Sequence, residues 1–259
     1  MTGRSRARDR SRPSGGALAW SPWSALGGQW FDATDGTSGS PVSAWTARGA
    51  TAVATQGTVA NQPAAPVTNA SLGDELASAF DGAGDILVST TAIALPTFTF
   101  VTVLKTGTLK SYTGLFRLAP TETTGGAGSW CLYAKADGAI EYGSGALGWF
   151  RSSSSTGVLA SGTAYALLLT CDGTSGGTVL QKGVISGGSI TWSTVSFGAV
   201  SGSFAAPSGT NYLQPGGSFN TAATSRFVGD LALYGARPGV VSAGEETSLK
   251  SYLAGRFAV

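Results

Sequence analysis

Histidine is absent from this 259-residue chain. That removes serine–histidine and cysteine–histidine nucleophilic catalysis, imidazole as a general base and histidine-ligated zinc in one observation. Cysteine is almost absent too, with only Cys131 and Cys171. Two isolated cysteines build neither a disulfide framework nor a structural zinc site. Both lie in apolar runs, SWCLYA and ALLLTCDG, and read as buried thiols, with a bridge between neighbouring strands left open. Charged residues make up 12% of the chain, about half the usual share. No run approaches the roughly 18 apolar residues that span a bilayer. The N-terminus also lacks the apolar core of a signal peptide, so neither membrane insertion nor general secretory export is expected. No GxxxxGK[ST] and no strand-linked GxGxxG is present to cradle a nucleotide.

The charge that is there is unevenly placed. Arg4, Arg6, Arg8, Arg10 and Arg12 alternate along the first twelve residues, opposed only by Asp9. The remainder holds eleven cations against thirteen anions, so the body is slightly acidic although the sequence pI is 8.6. On an extended chain the five arginines project to one side, which suits an arm laid along a surface. Pro13-Ser14-Gly15-Gly16 then breaks the pattern, defining an arm over 1–16. Three readings follow: a tether on an acidic protein surface, a phosphate-binding arm for nucleic acid, or a solvated tail. No aromatics interleave the arginines, so base stacking is not indicated, and the tether is favoured. Residues 17–29 carry Trp20 and Trp23, which dock either on the body's own core or on a partner.

From Trp30 to about Gly239 the pattern is β. TFTFVTVL (97–104) alternates threonine with apolar residues, predicting a strand with one face strongly buried. Comparable runs are TGLFRLA (113–119), WCLYAKA (130–136), YALLLTCD (165–172), TVLQKGVI (178–185), ITWSTVSF (190–197) and SRFVGDLALYG (225–235). Asp137-Gly138, Asp172-Gly173 and Gly187-Gly188 mark hairpin turns between them. Many strands with glycine-rich turns and no intervening amphipathic helix indicate a sandwich or barrel. One helix is predicted over about 242–255. Ser242 and Glu245 form a capping box, Leu249, Tyr252 and Leu253 share a face, and Gly255 is placed to end it.

Four stretches in order resemble concanavalin A-like lectin/glucanase (laminin-G-like) jelly-roll domains of bacteriophage and other virion proteins. They are WFDATDG (30–36), VSAWTARGA with TQGTVANQP (42–63), ASAFDGAGDILV (77–88) and FVGDLALYGARPGVVSAGEETSLKSYLAGRF (227–257). The resemblance implies an antiparallel β-sandwich over 30–259 with a short C-terminal helix. It further implies a non-enzymatic virion component on a phage head, fibre or tail. Such a component would meet capsid or tail subunits through Arg4–Arg12, Trp20 and Trp23, and would assemble as a homo-oligomer. The alternative is a module that binds host-surface glycans.

An exposed aromatic platform for glycans would draw on Trp149, Phe150, Arg151 and Tyr142, with GALGWFRSSSS as the best stretch and Trp130 and Tyr212 as further candidates, although such aromatics more often fill a sandwich core or a subunit interface. A glycosidase needs two carboxylates across the scissile bond, and no E-x-D-x-x-E strand occurs; Glu141 stands alone in AIEYGSG. No enzymatic activity and no cofactor are therefore expected. Asp32, Asp35, Asp81 and Asp85 lie in turns where oxygen ligands could gather calcium, although aspartates there more often bond their own backbone.

Overall fold

The computed structural model describes residues 20–34, 37–120, 129–144, 150–174, 176–202, 207, 211–217 and 225–258. The arginine arm, Asp35 and Trp149 lie outside the described residues, as do the side chains of Phe150 and Arg151.

A single helical turn, α1 (Pro22–Ala25), comes first. Short strands follow: β1 (Gln29–Asp32), β2 (Thr37–Ser38), β3 (Ala44–Arg48), β4 (Val53–Thr55), β5 (Val67–Asn69), β6 (Glu75–Asp81) and β7 (Val88–Ser89). The central strands are β8 (Phe98–Thr106), β9 (Thr113–Ala119), β10 (Trp130–Ala134), β11 (Ile140–Ser144) and β12 (Phe150–Ser153). Next come β13 (Ala164–Cys171), β14 (Thr178–Ser186), β15 (Ser189–Val195), β16 (Tyr212–Leu213), β17 (Val228–Pro238) and α2 (Ala243–Phe257). All pairings between these strands are antiparallel. The larger sheet runs β15-β14-β13-β8-β17-β1-β3-β4-β7, and the smaller one β12-β11-β10-β9-β16.

Alternation along the strands explains both cores. Phe98, Phe100 and Leu104 of β8 and Leu167 and Leu169 of β13 point between the sheets, where they meet Phe116, Leu118, Trp130 and Leu132. The intervening Val101, Val103, Ala166 and Leu168 point the other way, under α2. The strand at 97–104 is thus buried on both faces rather than one, because Leu249, Leu253 and Phe257 of α2 cover its outer side at 0% exposure. Each such side chain contributes roughly 1.5–3 kcal/mol by burial. A polar tie also crosses the sandwich: the Tyr234 hydroxyl of β17 accepts from the Arg117 amide of β9 at 3.0 Å.

The capping box of α2 is present, with the Ser242 hydroxyl accepting from the Glu245 amide and Glu245 accepting from the Ser242 amide. Gly255 does not end the helix, which continues to Phe257. The buried Phe257 ring and the ion pairs of Arg256 hold the last turn in place past the glycine. A side chain at 255 would meet no atom within 4 Å. Gly255→Ala is therefore expected to stabilise the protein by up to about 1 kcal/mol, read as a rise in thermal midpoint.

Trp20 and Trp23 pack against Tyr252 of α2, with ring centroids 6.0 and 5.6 Å away. The Arg48 guanidinium lies 4.4 Å from the Trp23 ring. The tryptophans assigned to anchoring are therefore engaged by the body, and only their exposed edges are left for a partner. Cys131 and Cys171 are free and buried, on β10 and β13 of different sheets. Among the described residues no helix is long and apolar enough to cross a membrane.

Candidate functional site

The outward positions of the smaller sheet are polar where its inward positions are apolar. In β10, Trp130, Leu132 and Ala134 join the inter-sheet core, leaving Cys131 and Tyr133 on the outer face. In β11, Ile140 and Tyr142 point inward and Glu141 outward. Cross-strand register then sets Tyr133, Glu141 and Ser153 in one row and Arg117, Cys131 and Gly143 in the next. Arg117 and Glu141 are each only 2% exposed.

Glu141 is the centre of this face. Its Oε1 accepts from the Tyr133 hydroxyl at 2.5 Å, and its Oε2 from the Ser153 hydroxyl at 2.8 Å and Lys135 Nζ at 2.7 Å. Burial works to raise its pKa, but the Lys135, Tyr133 and Ser153 hydrogen bonds outweigh that and hold the carboxyl below the usual carboxylate range. Glu141 is therefore an anion at neutral pH. Above it lies a pocket of about 360 Å³, lined by Lys135, Glu141, Ser153, Gly198, Ala199 and Ser201. Tyr112, half-buried, packs edge-on to Tyr133 at 5.2 Å. Burial also pushes the Cys131 thiol up to about 12, so it is not a nucleophile at neutral pH. A second cavity of about 400 Å³ lies between the β14–β15 hairpin and the end of α2, and no charged side chain lines it.

The residues proposed from sequence divide three ways. Tyr142 is no platform: it stands at an inward position of β11, stacked on Trp130 at 5.3 Å and met by Phe197 at 4.7 Å. Its 2% exposure corrects its candidacy as a glycan platform in favour of the core alternative. Trp149 and the side chains of Phe150 and Arg151 lie outside the described residues, although the β12 backbone borders the pocket sheet. Glu141 falls at the site. Lys135, Tyr133 and Ser153 were missed, because their convergence depends on the three-stranded register.

The aspartates named for calcium have other partners. Asp32 is fully buried and bound bidentately by Arg256, at 2.5 and 2.8 Å. Asp81 accepts from the Ala83 and Gly84 amides, and Asp85 accepts from the Asp81 amide at 2.7 Å. The nearby Gly82 and Gly84 carbonyls accept from Lys110 and Arg226. Two resident cations thus occupy two of the carbonyl oxygens of that turn. Among the described residues no three metal-ligating side chains gather in one place.

Burial, with the Asp81 charge adding to it, lifts Asp85 to about 6. Its folded pKa lies above its ordinary value of 3.8, so the stability it contributes is present below about pH 4 and lost as pH rises through about 6. Asp85→Asn keeps an acceptor for the Asp81 amide and is expected to stabilise the protein at pH 7 by about 1–2 kcal/mol. It should also flatten the stability profile between pH 4 and about 6, as denaturation at stepped pH would report.

No protein-family model and no curated protein sequence matches the chain. Among solved structures, a GH54 α-L-arabinofuranosidase soaked with a cyclic sulfate inhibitor aligns with TM-score 0.50 at 15% identity. The alignment covers 84% of this chain and 51% of that one, about half its length. The CBM40 domain of Ruminococcus gnavus IT-sialidase, bound to α2,3-sialyllactose, gives TM-score 0.42 at 14% identity over 64% of this chain and 84% of that chain. A legume lectin-like domain from Entamoeba histolytica gives 0.25 at 8% identity over 64% and 84%. The arabinofuranosidase likeness bears on the fold alone. Together with the strand order, it supports an open antiparallel sandwich of the jelly-roll kind.

Proposed function

We propose that the protein is a non-catalytic carbohydrate-binding module whose site is the Lys135–Glu141–Ser153 pocket. The observation that carries this reading is a buried, hydrogen-bonded carboxylate paired with a half-exposed ammonium, at the floor of a pocket walled by glycine, alanine and serine. Sugar hydroxyls both donate and accept, so a carboxylate beside an ammonium suits a diol. A volume of about 360 Å³ is in the range of small-ligand sites. The small wall residues let a ring approach the sheet. Binding without cleavage is favoured by Glu141 having no carboxylate opposite it among the described pocket residues, since glycoside hydrolysis uses a pair.

A glycan array probed with the full chain tests this, with sugar release followed in parallel. Retention of at least one glycan class without release is expected, and an array with no binder overturns the reading. Particle attachment through the arginine arm, and with it a virion location, concerns residues outside those described and stays an expectation from sequence.

A further inference from the structure

β14 and β15 alternate faces as β8 does. Leu180 and Val184 of β14 turn to the inter-sheet core, while Ile190 and Trp192 of β15 pack beside α2 on the outer side. Their register sets Trp192 opposite Gly183 and Thr194 opposite Gln181. Gly183 has no side chain, so the half-buried indole lies across it. A Cβ added there would stand 3.1 Å from both bridgehead carbons of the indole. Those two carbons are the innermost atoms of the ring system, so a point nearest to them lies over the ring face and not at its edge. One face of Trp192 therefore rests on β14, and the other is turned away from the sheet.

Polar groups border this ring on the α2 side. Lys250 Nζ lies 5.1 Å from the ring centroid. It donates to Gln181 Oε1 and, at 2.7 Å, to Glu246 Oε1, which also accepts from Gln181 Nε2 at 2.8 Å. The trio holds its own geometry, and its two charges answer each other. One Lys250 N–H, one Gln181 N–H and Glu246 Oε2 are left without a partner among the described residues. The Trp192 indole N–H and the exposed Thr194 hydroxyl are unpaired there as well. A pyranose matches such a surface, because it has an apolar C–H face and a rim of hydroxyls that both donate and accept. A peptide side chain would instead need a cavity to enter, and neither cavity described above includes Trp192.

We infer that Trp192 is the platform of a second carbohydrate site, which stacks an internal pyranose of a neutral polysaccharide chain and holds its hydroxyls through Gln181, Glu246 and Lys250. An open ring face lets a chain continue in both directions, whereas the walled pocket of the smaller sheet suits a chain end. A neutral sugar fits because Lys250 already answers the Glu246 charge, so an acidic ring would meet that carboxylate uncompensated. The indole supplies an apolar area at little cost in conformational entropy, and the trio supplies orientation. This site stands apart from the Lys135–Glu141–Ser153 pocket, since its residues lie on the other sheet and on α2. Either site can fail without the other.

Affinity electrophoresis of the full chain through gels containing a soluble β-glucan, xylan, galactomannan or dextran tests it. The runs use the Ala199→Trp background, which closes the pocket and leaves only the Trp192 site. Retardation by at least one of these neutral polysaccharides is expected. Adding Trp192→Ala should weaken it at least about tenfold. Gly183→Ala keeps the indole but lifts it off β14, and should weaken binding too. The double variant Gln181→Ala with Glu246→Ala strips the rim while leaving the ring packed, and should also lose about tenfold. Thermal unfolding identifies the variants that are folded, and the rim variant serves if Trp192→Ala is not. No retardation in the Ala199→Trp background overturns the inference, and if the wild type is retarded it assigns all binding to the pocket. A folded Trp192→Ala or rim variant that binds like its parent overturns the inference as well.

Discussion

Replacing Arg256 by alanine is expected to lower stability by about 3–5 kcal/mol, the range for stripping one partner from a buried ion pair. Arg256 binds both oxygens of the fully buried Asp32, bonds Glu75 Oε2 at 3.0 Å through Nε and 2.8 Å through Nη2, and donates to the Tyr252 hydroxyl at 3.1 Å. Removing it leaves Asp32 with Arg48 alone among its cations, at 3.4 Å. At about 2–4 °C per kcal/mol for a chain of this size, the thermal midpoint should fall by about 6–20 °C. Arg256→Lys should recover only part of the loss, because an ammonium cannot supply the planar fork. The pair has a pH signature as well. Burial works to raise the Asp32 pKa, yet the Arg256 hydrogen bond and the Arg256 and Arg48 charges hold it below 3.8. Its stabilisation is therefore present above about pH 4 and lost as pH falls through the lower folded value, and this acid limb should disappear in Asp32→Asn.

Filling the pocket is the second large effect. Ala199 is exposed on the pocket wall, so Ala199→Trp blocks the space without touching the Glu141 floor. Glycan affinity should fall at least about tenfold while the thermal midpoint stays within about 1–2 °C of wild type, as surface substitutions usually do. Lys135→Ala removes the charged donor. Losing a hydrogen bond from a charged group costs about 1.5–3 kcal/mol, which is about 10–100-fold in affinity. The two variants separate causes: Lys135→Ala also leaves the Glu141 carboxylate short of a partner, whereas Ala199→Trp does not.

Much of the sandwich is legible from local pattern. Strands β9, β14 and β15 lie within a residue or two of the runs TGLFRLA, TVLQKGVI and ITWSTVSF. The Ser242–Glu245 box marks the start of α2 because a cap is a contact between neighbours in sequence. Its end is not legible. Gly255 carries a local stop signal, overridden by Phe257 in the core and Arg256 on Asp32, a residue 224 positions away.

The site shows the same division. Glu141 stands out as a lone acid in the sequence, yet its partners arrive through register. The turn at Asp137-Gly138 closes with the Lys135 amide on the Ala139 carbonyl at 2.8 Å, which sets Tyr133 opposite Glu141. Counting that turn as a three-residue loop would have placed Tyr133 there; Ser153 needed the neighbouring strand as well. Tyr142 failed as a platform for the converse reason. One step along a strand reverses the face, and the step that aims Glu141 outward sends Tyr142 into the core.

Titration calorimetry of the best array glycan against the wild-type chain and Ala199→Trp tests most directly whether this face of the smaller sheet holds a sugar. Saturable binding by the wild type, lost or weakened at least about tenfold in an equally stable variant, is the result expected. Equal affinity in the two proteins would place the sugar elsewhere and contradict the assignment of the Lys135–Glu141–Ser153 pocket.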